Sequence, residues 1–154
     1  MDNIAMRAVQ ANLFFKEKTC IEDMKIIQGD TALARLQGFI EGAQKVRALL
    51  EEAGFEIIED REIIPRDFLS MTIEELHPFY IDAADILDGS QWADFLEESG
   101  TEESKKKEFL YSDECTKGRD LFFVHGWKDA VQYMRRNLQM IIDKYENLRA
   151  TSLF

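Results

Sequence analysis

An apolar residue recurs every seventh position at the start of this chain: Met6, Leu13, Cys20 and Ile27. Val9, Ile21 and Met24 widen that row into a stripe. A seven-residue recurrence places side chains on one face of an α-helix, whereas a strand would need a period of two. The spacing predicts a helix over about 2–28. Gly29 is placed to cap its end, and Asp30 or Thr31 to start the next helix through a side-chain oxygen.

Two further stripes follow the same rule. Leu33, Leu36, Phe39, Ile40, Ala43, Val46 and Leu50 predict a helix over 31–53, with Gly54 as its stop and Phe55 folding back on the last turn. Phe123, Trp127, Ala130, Val131, Met134, Leu138, Ile141, Ile142 and Tyr145 predict a long helix over 119–149. The short break at 29–30 favours antiparallel neighbours. At 154 residues, with only Pro65 and Pro78 as imino acids, the expectation is one domain over 1–154. The fold class expected is mainly α: a bundle of three long helices with an insert of short elements over 55–118.

The insert reads differently. Ile57-Ile58 and Ile63-Ile64 flank a charged run, a pattern that fits a small hairpin over 55–64 or a turn or two of helix. Thr72 and Glu75 have the spacing of a capping box. Pro78 is expected to separate that turn from a helix over 79–88, which Gly89 would stop. Ser90 is placed to cap a further short helix containing Trp92 and Phe95.

Charge follows the same boundary. Residues 51–114 hold 20 acids against 5 bases, a net of -15. Residues 1–50 carry +1 and residues 115–154 carry +3, which returns the chain's -11. A field of this kind attracts cationic surfaces and repels polyanions, so direct binding to nucleic acid or to an anionic membrane is not expected. No apolar run approaches the ~20 residues that span a bilayer. The N-terminus lacks the basic and apolar regions of a signal peptide. Cys20 and Cys115 have no pairing or metal spacing, which fits reduced thiols in the cytoplasm.

Candidate chemistry is sparse. Glu74 and His77 stand at i and i+3, half of a helical metal motif whose second half is missing. His125 lies four residues before Asp129, which could orient its imidazole, but no nucleophile is placed beside it. Residues 39–42 (FIEG) echo residues 123–126 (FVHG), setting Glu41 and His125 at equivalent places beside Gly42 and Gly126. Two helices crossing closely at those glycines is the simpler account of the echo. No catalytic residue, cofactor or metal-ligand set follows from these patterns.

The expected function is therefore non-enzymatic: a protein-binding module, in its concrete form an acidic inhibitor occupying the basic groove of a nucleic-acid-processing protein. Its contact residues would be Glu59, Asp60 and Glu62, then Asp82, Asp85 and Asp88 at i, i+3 and i+6, and finally Trp92, Glu97, Glu98, Glu102 and Glu103. The alternatives are a small enzyme or metal protein using His125, Asp129 and Glu41 or the Glu74/His77 pair, and a homo-oligomeric structural subunit.

Overall fold

In the computed structural model the chain is mainly helical, and the structure describes residues 3–58, 65–89, 105, 108 and 118–152. Helix α1 runs Ile4–Asp23, α2 Asp30–Glu52, α3 Ile73–Asp88 and α4 Gly118–Ser152, with a 3-10 turn at Phe68–Ser70. Among the described residues there is no strand.

Helix α1 begins at an extended Asn3, whose side-chain oxygen accepts from the Met6 amide at 2.9 Å. It ends earlier than its apolar period suggests. Lys25 and Ile26 donate to the carbonyls of Glu22 and Asp23, three residues back, and this tightening closes the helix. Ile21 lies exposed rather than in the stripe. Gly29 therefore does not cap α1. It is the N-cap of α2, with φ 126°, and no side chain caps that helix. Asp30 instead sits in the first turn, where the helix dipole favours its charge.

The end of α2 follows the sequence expectation. Gly54 takes φ 91° and donates to the Glu51 carbonyl at 3.0 Å, while the Phe55 amide donates to Leu50 at 3.0 Å. These two bonds form a Schellman motif, and Phe55 is buried by it. Beyond Phe55 the hairpin expected over 55–64 has no ladder within residues 55–58, and residues 59–64 lie outside the described residues.

Helix α3 has the expected capping box, with Thr72 and Glu75 exchanging bonds of 3.2 Å. Pro78 does not divide it. The missing N–H of Pro78 deprives only the carbonyl of exposed Glu74 of its partner, while buried Leu76, Ala83 and Ile86 hold one continuous helix. The helix expected after Ser90 lies outside the described residues.

Helices α1 and α2 are antiparallel. Glu17 pairs with Arg47, and Gln10 reaches the chain just beyond the end of α2. Helices α2 and α4 run parallel: Gly38 stands against Phe123 and Trp127, and Gly42 further along α2 stands against Trp127 and Ala130. Gly38 and Gly42, one turn apart, share a face. A Cβ at Gly38 would stand 1.9 Å from the Phe123 carbonyl oxygen, and one at Gly126 would stand 2.0 Å from the Arg35 carbonyl oxygen. Each glycine thus gives its missing Cβ position to the backbone of the other helix.

The close approach lets Phe39, Ala43 and Val46 meet Trp127, Ala130, Val131 and Met134 in a common core with Met6, Val9 and Leu13 of α1. Phe39 also meets Tyr133 edge-on at 6.4 Å, and Lys16 of α1 lies 4.9 Å from the Phe39 ring centroid. Burying each large apolar side chain here contributes about 1.5–3 kcal/mol.

Candidate interaction surface

Helix α3 carries the described residues of the expected contact set, and its three aspartates do not share one role. Asp82 is half-buried, and its carboxylate accepts from the Ile4 amide at 2.7 Å while its carbonyl accepts from the Asn3 side chain at 2.9 Å. It therefore helps cap α1 and ties α3 to the first helix. Asp85 and Asp88 are exposed. Neither forms a hydrogen bond or ion pair among the described residues through its side chain, which leaves both carboxylates available to solvent. Glu74 is exposed in the first turn of the same helix. Glu59, Asp60, Glu62, Trp92, Glu97, Glu98, Glu102 and Glu103 lie outside the described residues.

The two flanks of residues 59–64 are fastened to α1 by side-chain amides. Gln10, 3% exposed, donates to the Glu56 carbonyl at 2.9 Å and accepts from the Ile58 amide at 3.1 Å. Asn12, 9% exposed, accepts from the Arg66 amide at 2.7 Å and donates to the Arg66 carbonyl at 2.9 Å. Each carboxamide satisfies both a backbone donor and a backbone acceptor, as a neighbouring strand would. Arg7 adds an exposed ion pair to Glu56 at 2.6 Å. The acidic run is thus held at both ends to the same helix.

The histidines take other places. The His77 ring lies 5.6 Å from Tyr145 of α4, and Tyr80 stacks on the same tyrosine at 4.1 Å. Among the described residues no group of His, Cys, Asp and Glu could hold a metal ion. Asp129 does not orient His125. It pairs with Arg35 at 3.1 Å across the α2–α4 crossing and with Arg136 at 3.7 Å. Glu41 and His125 are both exposed, and no hydrogen bond or ion pair joins them among the described residues. Gly42 and Gly126 of the FIEG/FVHG echo each approach the opposite helix, Gly42 at Trp127 and Ala130 and Gly126 at Arg35 and Phe39.

Three features carry no motif in the sequence. One is the Glu17–Arg47 pair, nearly buried with side chains 5% and 14% exposed, joined through both carboxylate oxygens with the second bond at 2.9 Å. Glu17 falls between the apolar residues of α1, and a buried charge there becomes intelligible only once α2 lies alongside. A second is the amide clamp of Gln10 and Asn12. The third is an open groove of about 690 Å³ along α4 from Gln132 to Asn147, walled by Leu69 of the 3-10 turn. Among the described residues, two groups are shifted by their surroundings. Burial pushes the Cys20 thiol up, partly offset by nearby Lys16, and burial raises the Tyr133 hydroxyl.

No helix among the described residues is long and apolar enough to cross a membrane. Comparison with protein-family models, with curated proteins and with solved structures finds no match to this chain.

Proposed function

We propose that the protein is a non-enzymatic binding module whose acidic middle segment docks on a basic protein surface, in the concrete case the nucleic-acid groove of a processing enzyme. The observation that carries this reading is the confinement of charge: a net of -15 in residues 51–114 within a chain of -11. The fold supports it in two ways. Asp85 and Asp88 project from α3 with no side-chain partner among the described residues, and the clamp of Gln10 and Asn12 fixes both flanks of the run containing Glu59, Asp60 and Glu62. Asp85 and Asp88 stand on a helix that is already ordered, so docking them costs little backbone entropy. Long-range attraction would steer encounter, and a few aromatics such as Trp92 would anchor the complex.

The test is charge reversal of Glu97, Glu98, Glu102 and Glu103 to Lys. Loss of affinity for the basic partner, together with weakening of wild-type binding as salt rises, is expected. Unchanged affinity in the variant and at high salt would remove the proposal.

A further inference from the structure

The groove on α4 has the opposite electrostatic character to the segment just described, and it does not depend on that segment's role. Its α4 wall is built from positions 132, 135, 136, 139, 140, 143, 144 and 147, the spacing of one continuous helical face. At 1.5 Å per residue this face is about 22 Å long. Among the described residues, Arg135, Arg136 and Lys144 line it against a single acid, Asp143. Arg135 is exposed, and neither it nor Lys144 has a hydrogen bond or ion pair among the described residues. Arg136 is held in place by Gln132 and by Asp129 at 3.7 Å, so its guanidinium is positioned before any ligand arrives. Leu69, 57% exposed, and half-buried Met140 provide an apolar strip beside the cations.

We infer that this groove is a docking site for an acidic amphipathic helix of a partner protein. Length and chemistry both select that occupant. A groove of about 22 Å accommodates some four turns of helix. A ligand of that kind meets Leu69 and Met140 with apolar residues and the three cations with carboxylates, and arginine forks bind carboxylates with two parallel bonds. Nucleic acid is disfavoured because a polyanion running beyond the groove would meet a chain of net charge -11.

The experiment uses the full chain and a fluorescent helical peptide of about 16 residues, long enough for four turns. It carries leucines on one face and glutamates beside them. Anisotropy titration is expected to show saturable binding that weakens with salt. Affinity should fall at least about ten-fold in the R135E/R136E variant and for the same peptide with Gln in place of Glu. K144E, which leaves the Arg136–Asp129 contact intact, should show a smaller loss in the same direction, with unchanged far-UV circular dichroism for both variants. Equal binding by the charge-reversed variants, or by the Gln peptide, would overturn the assignment. So would tighter competition by a short nucleic-acid duplex, or a concentration-dependent dimer that R135E/R136E abolishes.

Discussion

Replacing Gly38 with Ala sets two effects of opposite sign against each other. In an isolated helix the change stabilises by about 1 kcal/mol, because alanine gives up less backbone freedom. Here the new Cβ would lie 1.9 Å from the Phe123 carbonyl oxygen, where ordinary contact begins at 3.4 Å. The atom it meets is backbone in the second turn of α4, so no side chain can rotate away. The helices must separate by roughly 1.5 Å, taking Ala43 and Val46 away from Trp127, Ala130 and Met134. A radial gap of 0.5–1 Å already forfeits about a quarter to a half of each dispersion contact. Overpacking of this kind costs about 1–3 kcal/mol, and the lost contacts add to it.

With the propensity gain subtracted, the net destabilisation is about 2 kcal/mol or more. That corresponds to a fall in Tm of about 4–8 °C for a domain of this size. Urea unfolding followed by circular dichroism measures it. The G38A/G126A double variant should lose less than the sum of the two singles, since one separation relieves both clashes. A G38A protein more stable than wild type would refute the close crossing, because propensity alone would then decide the outcome.

Other changes probe the remaining contacts. Glu17→Gln removes the nearly buried carboxylate that Arg47 meets through both oxygens and should cost about 3 kcal/mol in urea unfolding, far more than loss of an exposed pair. Asp82→Ala removes a tertiary cap from α1 and should cost about 1 kcal/mol, whereas Asp85→Ala should stay within about 0.5 kcal/mol; equal effects would contradict their different placement. Cys20 and Tyr133 are both held above their ordinary values of 9.0 and 10.0, so the fold favours their neutral forms. Their contribution is complete below those values. It declines as pH rises, because the unfolded chain releases its protons first. The urea midpoint should therefore be lower at about pH 10.5 than at about pH 8, and Cys20→Ala should flatten part of that decline.

The long helices are legible in the sequence because each buries a face with a helical period, and Gly54-Phe55 and Thr72/Glu75 terminate helices through bonds between near neighbours. Periodicity failed where geometry is set from elsewhere. Ile27 continues the seven-residue row, yet the chain tightens into a turn at Lys25 and Ile26, and Gly29 belongs to the following helix. Pro78 reads as a break, but only one exposed carbonyl loses its partner. Asp82 has the same spacing as Asp85 and Asp88. Its distinct role depends on the Ile4 amide, 78 residues away in the chain, which no local pattern encodes. The FIEG/FVHG echo marked the place of a close crossing, while the antiparallel Glu17–Arg47 pairing needed the assembled bundle to become visible.

The most direct test of the acidic segment's role is affinity capture from the native host on wild-type protein and on the E97K/E98K/E102K/E103K variant in parallel. The account predicts a basic, nucleic-acid-processing protein retained by wild type, released by duplex nucleic acid and by high salt, and absent from the variant. The same prey held equally by both proteins, and unmoved by nucleic acid or salt, would contradict it.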